Sequence, residues 1–309
     1  MKQILLVLLL LVPLSSPAFQ DKSHPKADHA FLDSANHLLE RGQGANVKTI
    51  ETAPTEFKVV SYNIRWRSGD ELKELIKLFR EDPEIGNATI LGLQEVDRKK
   101  KRSKNSNVAK QLADELGMHY VWAAPPPAKA GEEEETGVAI LSVYPMTDVR
   151  RILLPWQGPN GRHRVGVGAT LLLDNDQRWR IYSVHAETRL SMDKKVEQFK
   201  AILNDLARFP ADMPAIVLGD LNTWQADSER KTIRVFSEAG MRTPFGNQDT
   251  FRRRILMVPI QFRLDWVWLR GLEASSYGID RKVEVSDHWP LWAKVKVVAA
   301  SGKTSTAKQ

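Results

Sequence analysis

Between residues 57 and 298 short apolar, β-rich runs recur, and several of them stop on a polar or charged side chain. They occupy residues 57–62, 89–93, 137–141, 165–173, 180–184, 215–218, 264–269 and 292–298. Runs this short, rich in Val, Ile, Tyr and Trp, are the length of strands and too short for most helices. Helical spacing interrupts them. Leu72, Leu75, Ile76 and Phe79 fall at i, i+3, i+4 and i+7, and Val196, Phe199, Leu203 and Leu206 keep a similar face. A third stripe, Val108, Leu112 and Leu116, is closed by Gly117 in the position of a helix C-cap. Strands joined partly by hairpins and partly by helices predict an α/β (α+β) layered fold with mixed sheets. Propensity alone leaves the number of sheets open.

The 309 residues, 42% of them hydrophobic and 27% charged, suffice for a sizeable core. That balance excludes a disordered tail protein and a collagen-like chain. The absence of cysteine excludes a disulfide scaffold, thiolate zinc sites and a Cys nucleophile. Lys2 is followed by nine uninterrupted aliphatic residues, 4–12, and by small residues at Ser16 and Ala18. This pattern predicts a signal peptide over 1–18, cleaved after Ala18, and a secreted or periplasmic protein. The run is far short of the roughly 20 apolar residues that span a bilayer, so no transmembrane anchor is expected. Residues 19–55 read as a polar leader packed on, or tethered to, the main domain, with a weak helical stripe at Phe31, Leu38 and Leu39. Residues 56–299 read as one domain and 300–309 as a flexible tail.

The polar residues at the strand ends carry the functional information. Asn63 follows the first run, Gln94 and Glu95 the second and His185 the fifth. Asp220 and Asn222 follow the sixth, Asp265 lies within the seventh, and Ser286, Asp287 and His288 precede the last. One Asp after a strand is most often a turn residue, and one His a local hydrogen-bond partner. Six such placements point instead to strand ends converging on one cleft.

With their flanking residues these positions resemble the endonuclease/exonuclease/phosphatase superfamily, the deoxyribonuclease I-like fold. The motifs are Val60-Ser61-Tyr62-Asn63, Leu93-Gln94-Glu95-Val96-Asp97, the GVAILSVYP of 137–145, and Val184-His185. Gly219-Asp220-Leu221-Asn222-Thr223, Leu264-Asp265-Trp266-Val267 and Ser286-Asp287-His288-Trp289-Pro290-Leu291 follow in the family's order. The resemblance implies a four-layer α/β/β/α sandwich with two packed mixed sheets, and metal-dependent hydrolysis of a phosphoester. It implies Glu95 as the metal carboxylate, with Asn63 and Asp287 completing or supporting the site. The ion would be Mg²⁺, with Mn²⁺ or Ca²⁺ as alternatives. It casts Asp220 as the residue that orients and deprotonates the attacking water, with Asn222 fixing its geometry or holding the phosphate. His288, polarised by Asp265, would stabilise the pentacoordinate phosphate or protonate the leaving oxygen, and His185 would be a second imidazole donor. Such chemistry at neutral pH requires a hard cation, a positioned water and donors for the developing charge. Other polar residues nearby read as structural: Asp97 in an Asx turn, Tyr144-Pro145 in a turn, Gln94 as a support, and Glu187 and Glu132 to Glu135 in solvated loops.

His at position 185 sets the chain apart from AP-endonuclease-type relatives, which carry Tyr there. The expected activity is that of a nuclease or related phosphodiesterase on a phosphoester substrate such as nucleic acid. A phosphatase or phospholipase C-type enzyme on small or lipid phosphoesters is the alternative, and an inactive binding protein the least favoured. No obligate protein partner is inferred. Trp66, Trp224 and Trp289 flank motifs, as base-stacking platforms or as cleft wall and core filling. The formal charge of +7 resolves into one segment. Without Lys2 the chain has 44 Lys and Arg against 38 acids, and residues 98–104 hold six basic residues and no acid. Arg98, Lys99, Lys100, Lys101 and Arg102 are therefore expected either to grip substrate phosphates beside the cleft or to form a solvated loop. Arg252, Arg253 and Arg254 make a secondary basic cluster.

Overall fold

A computed structural model describes residues 36–47, 54–127, 135–173, 177–255 and 258–298. The signal peptide, most of the leader and the tail expected from the sequence lie outside the described residues. Within them, seven strands form one mixed sheet. In spatial order they are β1 (Leu39–Gln43), β4 (His119–Ala123), β5 (Glu135–Ser142), β3 (Ile90–Arg98), β2 (Phe57–Asn63), β14 (Leu291–Val297) and β13 (Leu272–Ile279). Five strands form the second: β12 (Asp265–Arg270), β9 (Ala215–Asp220), β8 (Arg178–His185), β7 (Val165–Leu172) and β6 (Met146–Leu153). Each sheet has one parallel pair at its centre, β2 with β3 and β8 with β9.

The period of two along each strand explains the layering. On β2, Val59 packs into the core between the sheets with Ile90, Ile140, Val167, Ile181 and Leu218, whereas Val60 and Tyr62 face the other way. That outer face is covered by α1 (Gly69–Glu81) and α2 (Val108–Leu116) through Leu75, Phe79 and Leu112. The outer face of the second sheet is covered by α3 (Met192–Leu206) and α4 (Ser228–Glu238), through Phe199, Ile202, Leu206 and Phe236. Strands covered on both faces are apolar at most positions, which is why the central runs are legible as continuous. Gly117 ends α2 in the left-handed conformation (φ 65°) expected of a C-cap glycine. Trp122, Trp179, Trp266 and Trp268 are fully buried, so core filling accounts for much of the tryptophan content.

Three expectations change. Part of the segment read as leader packs on the first sheet, where β1 pairs with β4, but it is preceded by a 3₁₀ turn (Asn36–Leu38) rather than a helix. Leu38 is buried and Glu40 accepts hydrogen bonds from Tyr120, Arg98 and Asn107. Six strands were not anticipated: β1, β4, β6, β13 and a two-stranded ribbon of β10 (Phe251–Ile255) and β11 (Val258–Phe262). Helix α4 was also unanticipated.

Candidate active site

The two sheets bring their polar strand ends together. On the first sheet, Asn63 ends β2 beside Gln94 of β3, and Glu95 follows at a bulge where the β3–β5 pairing shifts register. Glu95 adopts φ 57°, a conformation that costs a non-glycine residue energy and turns the side chain out of the strand's alternation. On the second sheet, Asp220 at the end of β9 lies opposite both His185 of β8 and Asp265 of β12. This close approach requires Gly219, which has φ 153° and whose Cβ would sit 2.0 Å from the Val184 carbonyl oxygen. Ser286 ties the last loop to the first sheet by donating to the Asn63 carbonyl at 2.8 Å, and so places Asp287 and His288.

Hydrogen bonds then fix the groups. Asn63 Nδ2 donates to Asp220 Oδ2 at 3.0 Å and lies 3.3 Å from Glu95 Oε1, bridging the two sheets. The Asn222 backbone N–H donates to Asp220 Oδ1 at 2.9 Å. His185 Nε2 and His288 Nε2 lie 3.6 and 3.8 Å from Asp220 Oδ2. His288 Nδ1 is 2.8 Å from Asp265 Oδ2, which also accepts from the Thr250 hydroxyl at 2.7 Å. Burial opposes a charged ring at His288, but Asp265 and Asp220 outweigh it and push its pKa up to about 10. His185 is driven the other way, well below the ordinary histidine value, by burial and then by Arg164 and His288. Arg164 Nη1 lies 3.5 Å from His185 Nδ1, favouring the neutral tautomer that carries its proton on Nε2, toward Asp220. Burial raises the Asp220 pKa against the pull of His288.

Two sets of oxygen and nitrogen atoms are candidates for a metal. Asp220, Asp265 and His288 present atoms all within 4.8 Å of one another. There, however, Asp265 Oδ2 is engaged by His288 and Thr250, although Oδ1 is buried without a partner, and a protonated imidazole has no lone pair to offer. The set around Glu95 fits a cation better. Glu95 Oε2 is buried without a hydrogen-bond partner, and Glu95 and Asp287 both line the cleft beside Asn63. All three offer hard oxygen atoms, the donors that Mg²⁺ takes.

The cleft has a volume of about 760 Å³ and is lined by Glu95, His185, Asp220, Asn222, Asp287 and His288 together with Arg65, Trp66 and Trp224. Trp66 and Trp224 are 37% and 47% exposed. Trp289 is only 5% exposed, has the guanidinium groups of Arg252 and Arg281 at 5.3 and 5.2 Å from its ring, and is not part of the cleft lining. The basic segment divides. Arg98 is buried in ion pairs with Glu40 and Glu135 and stacks on Trp122, so it cannot grip substrate. Arg102 binds Asp97 through two nitrogens and stacks on Trp66, while Lys99, Lys100 and Lys101 are not part of the cleft lining. Asp97 is thus structural within β3 rather than in an Asx turn, and Tyr144 is buried in the core. Gln94 donates to the Gly92 carbonyl and to Ser183. Neither Glu187 nor Glu135 is solvated, since both are buried and paired, with Arg164 and Arg98 respectively. Glu132 to Glu134 lie outside the described residues.

The sequence matches the model of the endonuclease/exonuclease/phosphatase family over residues 60–288. The chain belongs to that family. No curated protein matches it. Among solved structures, the endonuclease/exonuclease/phosphatase from Beutenbergia cavernae DSM 12333 superimposes with a TM-score of 0.62 at 16% identity, over 79% of this chain and 72% of that one. The human Nocturnin catalytic domain with bound sulfate gives 0.60 at 19% identity, over 79% and 94%. TDP2 from Caenorhabditis elegans gives 0.60 at 18%, over 81% and 77%. At these identities the likeness is one of fold: two packed mixed sheets flanked by helices. The endonuclease/exonuclease/phosphatase family comprises divalent-metal-dependent hydrolases of phosphoester bonds. Among the described residues no helix is long and apolar enough to cross a membrane.

Sequence reasoning missed several residues in and behind the cleft. Arg65 pairs with Asp287 at 3.2 Å, and Lys195, buried on α3, donates to the Asn222 carbonyl and to Gln225. A lysine among the apolar residues of α3 was the available signal. The wall formed by the β10–β11 ribbon had only the arginine cluster to announce it.

Proposed function

We propose that this protein is an exported, Mg²⁺-dependent phosphodiesterase, with nucleic acid as the favoured substrate. The observation that carries the reading is the position of Asp220. Its carboxylate faces Asn63, His185 and His288 at 3.0–3.8 Å, in the same cleft as the unpartnered Glu95 Oε2. Asn63, Glu95 and Asp287 would hold the cation, which when bound polarises the phosphate and neutralises developing charge. Burial raises the Asp220 pKa toward the range where a carboxylate takes a proton from water efficiently. Asn63 and the Asn222 backbone N–H would orient that carboxylate. His288, kept protonated by Asp265, would give its Nε2 proton to the leaving oxygen, and His185 Nε2–H would donate to a phosphate oxygen. The side chain of Asn222 is used locally, donating to the Ala186 carbonyl and accepting from Thr188, which favours a positioning role over phosphate contact. The signal-peptide pattern at residues 1–18 supports export.

The test is hydrolysis by the purified protein of plasmid, single-stranded DNA, RNA, bis-p-nitrophenyl phosphate and p-nitrophenyl phosphate, each with Mg²⁺ and with EDTA. Metal-dependent cleavage of diesters is expected. Turnover of the monoester alone would favour the phosphatase reading instead. Unchanged activity in Glu95→Ala or His288→Ala would overturn the site assignment.

A further inference from the structure

Beside the acid–base groups the cleft has an aromatic wall, whose Phe251 ring meets the His288 imidazole edge-on at 5.0 Å. In the β10–β11 ribbon Phe251 pairs with Phe262 and Arg253 with Ile260, so these four side chains share one face. All four line the cleft, and Leu264 and Trp224 continue the same lining. The opposite face of the ribbon carries Arg252, which is bound to Glu284 and lies 5.3 Å from the Trp289 ring. Trp224 is half exposed, yet its indole N–H donates to the Thr188 carbonyl at 3.0 Å. Its orientation is therefore set before any ligand arrives.

The charge on this wall is uncommitted. Around the cleft Arg65 is paired with Asp287, Arg164 with Glu187, Arg102 with Asp97 and Arg263 with Glu229. Arg253 is exposed, lines the cleft and has no ion-pair partner among the described residues. A guanidinium beside aromatic rings, with no carboxylate to satisfy it, suits a ligand that brings both an anionic oxygen and a flat ring.

We propose that the ribbon wall is a subsite for one unpaired nucleotide of a single-stranded nucleic acid. Its base lies against Trp224 and the Phe251–Phe262 pair, and Arg253 takes the phosphate next to the scissile one. The inference rests on the phosphodiesterase reading above and names its substrate class. A ring stacks on a base only when that base has left its neighbours, so this wall serves a single strand and not an intact duplex. Rings dominate the wall, whereas a lipid chain would be served equally by aliphatic side chains.

The experiment measures binding by the full chain in EDTA, where bound substrate is not turned over. The probes are a labelled short oligothymidylate, the same backbone with abasic residues, and a hairpin duplex. Wild type is expected to bind the thymidylate on the order of 10-fold more tightly than either of the others, as one stacked base implies. Trp224→Ala should bring that ratio near one and Trp224→Phe should restore most of it, while Arg253→Gln should weaken both single strands alike and lower the salt slope by about one. Equal or absent affinity for base-bearing and abasic strands in wild type would overturn the proposal. So would displacement of the oligomer by phosphatidylglycerol vesicles whose binding is lost in Trp224→Ala. Wild-type hydrolysis of bis-p-nitrophenyl phosphate with Mg²⁺, measured alongside, reports the catalytic reading separately. Activity there without base preference removes the subsite and leaves the enzyme.

Discussion

Glu95 concentrates three costs in one residue: a left-handed backbone, a bulge in the ladder and a buried carboxylate oxygen without a partner. A buried acceptor left unsatisfied costs about 1–3 kcal/mol, and a cation bound there would offset it. Glu95→Gln, which removes the charge that would hold the cation, is therefore expected to abolish any Mg²⁺-induced rise in Tm. Thermal melts with Mg²⁺ and with EDTA check this, and an equal Mg²⁺ shift in the two proteins would move the metal site elsewhere. His288 supplies a pH dependence of definite sign. Its folded pKa, about 10, lies above the ordinary value near 6.5, so its contribution to stability is complete below pH 6.5 and fades as pH rises through 10. The stability gap between wild type and His288→Gln should accordingly shrink between those limits, in urea titrations across that range. A gap that stays constant or widens would mean that Asp265 does not hold the ring protonated.

At the scale of the element, β3 shows why a basic segment can mislead. Residues 98–104 read as one patch of charge, but the alternation of the strand turns Arg98 inward, where Glu135 and Glu40 meet its guanidinium at 2.6 and 2.7 Å. Arg98→Ala leaves two carboxylates without their cation and is expected to destabilise the fold by about 3–5 kcal/mol. Removal of the exposed Lys99 charge should change stability by less than about 0.5 kcal/mol. Urea unfolding of the two variants decides between a patch and a strut. Legibility follows the same logic elsewhere. Strands covered on both faces, such as 215–218 and 264–269, announce themselves as apolar runs, and with them the site residues at their ends. Two thinly covered edge strands, β1 and β6, do not. β1 reads Leu-Glu-Arg-Gly-Gln and β6 is half exposed along its length, both held largely by backbone pairing that composition does not record. Among the unanticipated strands β4, His-Tyr-Val-Trp-Ala, did carry an aromatic and β-branched signature. Neither the conformation of Glu95 nor the commitment of Arg102 to Asp97 leaves any trace in residue order.

At the scale of the whole molecule, the site exists only because two sheets pack together. Asn63 and Glu95 come from one, His185, Asp220 and Asp265 from the other, and the Asn63–Asp220 hydrogen bond crosses between them. Anything that loosens the packing of the first sheet should therefore be felt at the cleft, which makes the edge formed by β1 more than a trimming. β1 and the 3₁₀ turn before it, Asn36–Leu38, lie ahead of residue 56, in the segment that reads as a leader. A chain begun at Pro54 would lose the buried Leu38, worth about 1.5–3 kcal/mol, and would take Glu40 from Arg98, Tyr120 and Asn107. It would also expose the backbone of β4 as a new edge, a template for self-association. The expected outcome is a lower urea midpoint and concentration-dependent light scattering for the chain begun at Pro54, with neither change for one begun at Ser34. Its rate on bis-p-nitrophenyl phosphate should fall with the folded fraction, because the catalytic side chains themselves are untouched. Identical unfolding of the two chains would show that β1 decorates the sheet without closing it.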